Sequence, residues 1–131
     1  MTVKKGEAAV QRAILDYLAA RHVLAFRMQS GATMSSYKGK TRLVRYGTPG
    51  MADILAMPID VNSVCEALLA VRPIWIECKA EKGKQSELQK SFQQQVESHG
   101  HKYVVARSIQ DVEDALPSFL CNIKQNAPRF V

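Results

Sequence analysis

The chain reads as an α/β protein with a mixed sheet and helices on both faces, and three stretches carry that reading. Residues 73–79, Pro-Ile-Trp-Ile-Glu-Cys-Lys, form a buried strand by composition, with five apolar residues in seven and two β-branched Ile. A helix opens at Ser86 and leads back to a further strand at residues 102–107, the pattern of a crossover between neighbouring strands. An amphipathic helix at residues 7–21 supplies a face to cover the sheet.

The 131 residues suit one domain, 1–131, with a proper core. Apolar residues make up 47% and charged residues 23%, which excludes a disordered or low-complexity chain. No apolar run is long enough to span a bilayer, and the first residues lack a signal-peptide core, so a cytoplasmic protein with no membrane partner is expected (host cytoplasm if viral). The net charge of +6 favours a polyanionic partner. Cys65, Cys78 and Cys121 are odd in number and match no metal or redox spacing, which favours buried thiols. His99-Gly100-His101 reads as a helix-ending turn, because Gly100 suits the residue after a cap.

In the first helix, Val10, Ile14, Tyr17 and Leu18 share one face, and Glu7 lies in the first turn, where the helix dipole favours a carboxylate. Residues 23–29 alternate as a strand. Residues 30–40 are small and polar, as in a mobile surface loop. Lys38, Lys40, Arg42 and Arg45 are interleaved with Tyr37 and Tyr46, a mixture that suits either phosphate contact with base stacking or a solvated loop with two ordinary tyrosines. Residues 41–46 form a second strand. The turn Gly47-Thr48-Pro49-Gly50 leads to a third, residues 51–57, with Asp53 near its start. Residues 59–72 carry the weakest pattern, and within them residues 64–70 read as a short helix or a hairpin arm.

In the central strand, Ile74, Ile76 and Cys78 face one way and Trp75, Glu77 and Lys79 the other. Residues 80–84 form a polar connection with Lys82 and Lys84. Ser86 and Gln89 have the spacing of a capping box, and Leu88, Phe92 and Val96 mark one face of the helix that follows. Ser108 precedes a last helix with Val112, Ala115 and Leu116 inward, which Pro117 ends or kinks. Residues 127–131 read as a loosely docked tail.

Charges rarely lie deep in an apolar strand unless paired or metal-bound. Asp53 and Glu77 each interrupt such a strand. If the two strands are neighbours, both carboxylates and Lys79 converge at one end of the sheet. Two carboxylates with the Cys78 backbone carbonyl and waters suit Mg²⁺ or Mn²⁺. Such an ion polarises a phosphoryl oxygen and acidifies a bound water, while Lys79 orients that water or stabilises developing charge. These parts describe a phosphodiester hydrolase. The competing readings are a strand-end ion pair, a non-catalytic nucleic-acid-binding module with a vestigial metal site, and a hydrolase of small phosphate esters.

Residues 47–53 (Gly-Thr-Pro-Gly-Met-Ala-Asp), Ile76-Glu77-Cys78-Lys79 and the helix start at residues 85–89 resemble the VRR-NUC family of the PD-(D/E)xK nuclease superfamily. Its small stand-alone viral and prophage members are the nearest in pattern, and the resemblance runs over residues 7–116. It implies a restriction-endonuclease-like core with a mixed central sheet flanked by helices on both faces. It also implies that Glu7, Asp53, Glu77, Lys79 and Gln89 form the catalytic set, with Glu7 as an outer ligand or a second-metal residue. Arg45, Lys82, Lys84, Lys38 and Lys40 are candidate nucleic-acid contacts. The implied activity is hydrolysis of DNA at junctions, flaps or nicks by a homodimer, as in junction-resolving (Holliday junction) enzymes. Two features depart from the pattern: Asp53 does not directly follow a Pro, and residues 59–72 are longer than a minimal turn.

Overall fold

A computed structural model describes residues 6–65 and 68–116, with the side chains of residues 60–71 left undescribed. Helix α1 (Glu7–Ala20) is followed by β1 (Leu24–Arg27), β2 (Gly31–Tyr37), β3 (Lys40–Tyr46) and β4 (Ile54–Met57). Next come β5 (Ile59–Cys65), β6 (Leu68–Val71), β7 (Ile74–Cys78), α2 (Glu87–Ser98), β8 (Lys102–Ala106) and α3 (Ile109–Ala115).

The central sheet has the order β1-β4-β7-β8. It is mixed: β1 and β7 both run antiparallel to β4, whereas β8 lies parallel to β7 and is reached through α2. Alternation sorts its side chains as the sequence implies. Ile54, Ala56, Ile74, Ile76, Cys78 and Ala106 meet Val10, Ile14 and Leu18 of α1, together with Val112 and Leu116. On the other face Trp75, Tyr103 and Val105 meet Phe92 and Val96 of α2. Trp75 and Phe92 pack edge to face, with centroids 5.1 Å apart. Ile14, Leu18, Ile54 and Ile76 are fully buried, each contributing about 1.5–3 kcal/mol through removal from water.

Both ends of α2 follow local chemistry. Ser86 accepts from the Gln89 N–H and the Gln89 side chain accepts from the Ser86 N–H, a complete capping box. Gly100 takes φ +81° just past the His99 cap, the left-handed geometry expected of that turn. Helix α3 stops at Ala115, and Leu116 adopts ψ 151°, the extended conformation imposed on a residue before proline.

Two expectations are corrected. Residues 30–40 are not a loop: Gly31–Tyr37 is a strand paired in register with Lys40–Tyr46. The hairpin turns at Lys38 and Gly39, whose φ values of 50° and 74° fit a two-residue turn with two left-handed positions. Because most of the ribbon is exposed on both faces, its sequence lacks the apolar alternation that marks a half-buried strand. Leu88 is the second, being 60% exposed rather than inward. It lies in the first turn of α2, beyond the packed part of that helix. The helix-or-hairpin alternative for residues 64–70 falls on the end of β5 and most of β6, an antiparallel pair, with residues 66 and 67 outside the described residues. Cys78 is a buried free thiol; the side chains of Cys65 and Cys121, and residues 117–131 with Pro117 and the tail, lie outside the described residues. Among the described residues no helix is long and apolar enough to cross a membrane.

Candidate active site

Strands β4 and β7 pair as Ile54↔Ile76, Leu55↔Trp75 and Ala56↔Ile74. Continuing that register by one step sets Asp53 opposite Glu77, on the face that carries Trp75. Asp53 Oδ2 accepts from the Cys78 N–H at 2.8 Å, which ties the end of β4 to β7. In an extended strand a residue's N–H and C=O project to the same side. The Cys78 carbonyl therefore also lies on the Asp53 side, while the next N–H, that of Lys79, donates to Ala106 on the β8 side.

Glu77 is 1% exposed. Its Oε1 receives the Lys79 ammonium at 3.0 Å and the Gln89 side-chain amide at 2.7 Å. Its Oε2 is buried with no hydrogen-bond partner. Glu7, at the start of α1, places Oε1 3.7 Å from Lys79 Nζ. The five residues of the expected catalytic set thus meet at one end of the sheet.

The electrostatics follow from burial and crowding. Burial is the main cause that raises the Asp53 carboxyl above its ordinary value, against the Cys78 N–H bond. Burial likewise pushes Glu77 up to about 7, the Lys79 bond opposing and the Asp53 charge adding. Burial also opposes the Lys79 charge, but its bond to Glu77 and the nearby carboxylates outweigh this and hold it above the usual lysine value. Cys78 is pushed up to about 12 by burial and by the adjacent acids, so its thiol stays protonated and unreactive.

Among the described residues, no three His, Cys, Asp or Glu side chains cluster closely enough to hold one metal ion. What the site offers is two neighbouring carboxylates, the Asp53 charge acting on Glu77, and one unpartnered buried carboxylate oxygen. This donor set fits Mg²⁺, which is commonly bound by one or two carboxylates, with water and substrate phosphate completing its shell.

The expected nucleic-acid contacts are spread more widely. Lys38 sits at the tip of the β2–β3 hairpin with its ammonium 5.4 Å from the Tyr37 ring centre, Lys40 follows the turn, and Arg45 is exposed near the end of β3. Lys82 and Lys84 flank Gly83, which lies against Glu7 Oε1. That turn is held by Arg107, whose Nη1 donates to the carbonyls of Ala80 and Gly83 at 2.7 and 2.8 Å.

A cleft of about 440 Å³ opens beside Asp53 and Gln89, and none of those five basic residues lines it. Its walls include Arg27, Gln11, Tyr46 and Leu88. Sequence reasoning misses Arg27 as a wall residue, whereas Tyr46 is one of the two tyrosines among basic residues that suit base stacking. Arg27 reaches the cleft through the β1–β4 register, and Tyr46 through its pairing with Gly31, both long-range relations with no local signature. Compared with family models, curated proteins and solved structures, the chain matches none of them.

Proposed function

We propose that this chain is a Mg²⁺- or Mn²⁺-dependent nuclease that hydrolyses DNA phosphodiester bonds, with Asp53 and Glu77 holding the ion and Lys79 at the reacting phosphate. The observation that carries the reading is the Glu77 carboxylate, buried, with Oε1 doubly engaged and Oε2 left without a partner. A buried ion pair needs one acid and one base. Here a second acid neighbours the first, and burial keeps both carboxyls above their ordinary values. That arrangement costs stability in the absence of a cation and is relieved by one.

A divalent ion bound there supplies Lewis-acid polarisation of a phosphoryl oxygen and a more acidic bound water. The chain's own residues do the rest. The Cys78 N–H fixes the Asp53 carboxylate. Gln89, locked by its capping box, holds Glu77 Oε1 and leaves Oε2 directed elsewhere. Lys79, positioned by Glu77 and Glu7, donates to an attacking water and places positive charge beside the phosphorane-like transition state. Cutting both strands of a symmetric junction would require two copies of the chain, which sedimentation with and without junction DNA tests.

The experiment is incubation of labelled four-way junction, flap and single-stranded DNA with the protein in Mg²⁺, Mn²⁺ or EDTA. Strand scission is expected with either ion and none in EDTA. Lys79→Ala and Asp53→Ala proteins should lose it. Binding without scission would establish a non-catalytic module, and scission retained by both variants would refute the site.

A further inference from the structure

Resting on the reading above, we propose that the cleft beside Asp53 seats one unpaired nucleotide adjoining the reacting phosphate, with Tyr46 stacking on its base and Arg27 contacting its phosphate. The cleft's position supports this first. It meets the site through Asp53 and through Gln89, the side chain that holds Glu77, so an occupant of the cleft is next to any phosphate bound there. Its volume, about 440 Å³, falls within the range of pockets that take a single small ligand. A base pair still stacked in a duplex is too large and too constrained to enter it, whereas an unpaired base can turn in, as bases do when they leave a stack.

The walls match a nucleotide part by part. Arg27 makes no hydrogen bond or ion pair with another described residue, and its charge is within reach of Asp53. Asp53 is the one acidic residue lining the cleft among those described. An anionic occupant therefore meets the Arg27 guanidinium and the amides of Gln11, Gln29 and Gln89, with carboxylate only where the ion would bind. Tyr46 is 48% exposed, with its ring beside Gly31 of β2. It pairs across the hairpin with Gly31, and a Cβ at position 31 would come 2.8 Å from the Tyr46 hydroxyl. Glycine there lets the ring lie against the backbone of β2. A ring placed this way is a ready stacking surface, and stacking is indifferent to base identity.

Binding is measured by fluorescence anisotropy in EDTA, so that no cutting intervenes, using a short labelled oligothymidylate and a blunt duplex of equal length. Tyr46→Leu should weaken single-strand binding about tenfold, within the range that base–aromatic stacking supplies. Tyr46→Phe should retain it. Gly31→Ala, whose Cβ would come 2.8 Å from the Tyr46 hydroxyl and shift a ring that lines the cleft, should weaken single-strand binding in the same direction as Tyr46→Leu. Arg27→Ala should reduce the salt dependence of single-strand binding by about one phosphate contact. Duplex binding by all four should stay within about twofold of the parent, since the lysines expected to serve it, Lys38, Lys40, Lys82 and Lys84, lie outside the cleft. Single-strand affinity unchanged in Tyr46→Leu and Arg27→Ala, or equal losses on duplex, would overturn the proposal. The cleavage assay separates this from the hydrolase reading. Tyr46-dependent binding without scission in Mn²⁺ sinks only the hydrolase, and scission with unaltered single-strand preference in Tyr46→Leu sinks only the nucleotide seat.

Discussion

The side-chain amide of Gln89 donates to Glu77 Oε1 at 2.7 Å, while the carbonyl oxygen of that same amide accepts from the Ser86 N–H at 2.8 Å. One residue therefore closes the first turn of α2 and orients a buried carboxylate on β7. Truncating it should damage both. Gln89→Ala is expected to lower the unfolding free energy by about 1–3 kcal/mol, from the lost cap and the lost bond to a charged group. Scission should fall about 10–100-fold, as when a residue supporting a metal ligand is removed. Urea unfolding and a Mn²⁺ titration of the cleavage rate check the two effects. Normal cleavage in a destabilised protein would mean that Gln89 is a cap alone.

Asp53 predicts the opposite pairing of effects. Its charge raises the Glu77 pKa, so in the metal-free protein it opposes ionisation of its neighbour. Asp53→Asn keeps an oxygen to accept from the Cys78 N–H and removes the repulsion. In EDTA the variant should melt no lower than the parent, and higher if repulsion outweighs the weaker neutral hydrogen bond. Its scission should be lost, the usual exchange of stability for function at such a site. A variant that melts lower and still cuts would show Asp53 to be a strand-end brace.

Much of this arrangement is legible in the chain because it is local or periodic. Alternation alone assigns Ile74, Ile76 and Cys78 to one face and Trp75, Glu77 and Lys79 to the other, and the packing of both faces agrees. The capping box follows from two residues three apart. What escapes is either solvent-exposed or set by long-range register. The β2–β3 ribbon buries too little to leave an apolar rhythm, and its Lys38-Gly39 turn is a weaker signal than an Asn-Gly pair. Leu88 has helical spacing with Phe92 and Val96, yet its position in the first turn puts it beyond the core. Arg27 meets the cleft only because β1 pairs with β4, with Met28 donating to the Asp53 carbonyl at 2.7 Å.

The pH dependence of the metal-free protein should reveal Glu77. Burial raises its folded-state value from 4.5 to about 7, so between those values the folded state holds a proton that the unfolded chain has released. Stability linked to a raised carboxyl is fully present below the unfolded value and lost as pH climbs through the folded one. Unfolding free energy in EDTA should therefore fall by on the order of 2–3 kcal/mol from pH 4.5 to pH 7.5 through this group. Glu77→Gln cannot ionise, and its profile should be flatter by that amount in chemical denaturation at stepped pH. Parallel profiles for the two proteins would place the Glu77 titration elsewhere.

Two glycines with similar backbone angles should respond very differently to alanine. Gly100 has φ +81° with open space where a Cβ would lie, so Gly100→Ala meets only the left-handed penalty, about 1–2 kcal/mol. Gly50 has φ +75° and sits directly against the Leu88 carbonyl carbon and oxygen and the Gln89 nitrogen. A Cβ there overlaps backbone at the first turn of α2, which cannot yield as a side-chain tip does. Gly50→Ala must push that turn away from the strand leading to Asp53, moving Gln89 with it. Its destabilisation should exceed that of Gly100→Ala by at least about 1 kcal/mol, the usual scale of an overpacking strain. The folded fraction of Gly50→Ala should also cut more slowly, whereas Gly100→Ala, at the other end of α2, should cut normally once folded. Equal denaturation midpoints for the two variants would show that the Gly50 contact is loose, and that α2 is not braced against the turn before Asp53.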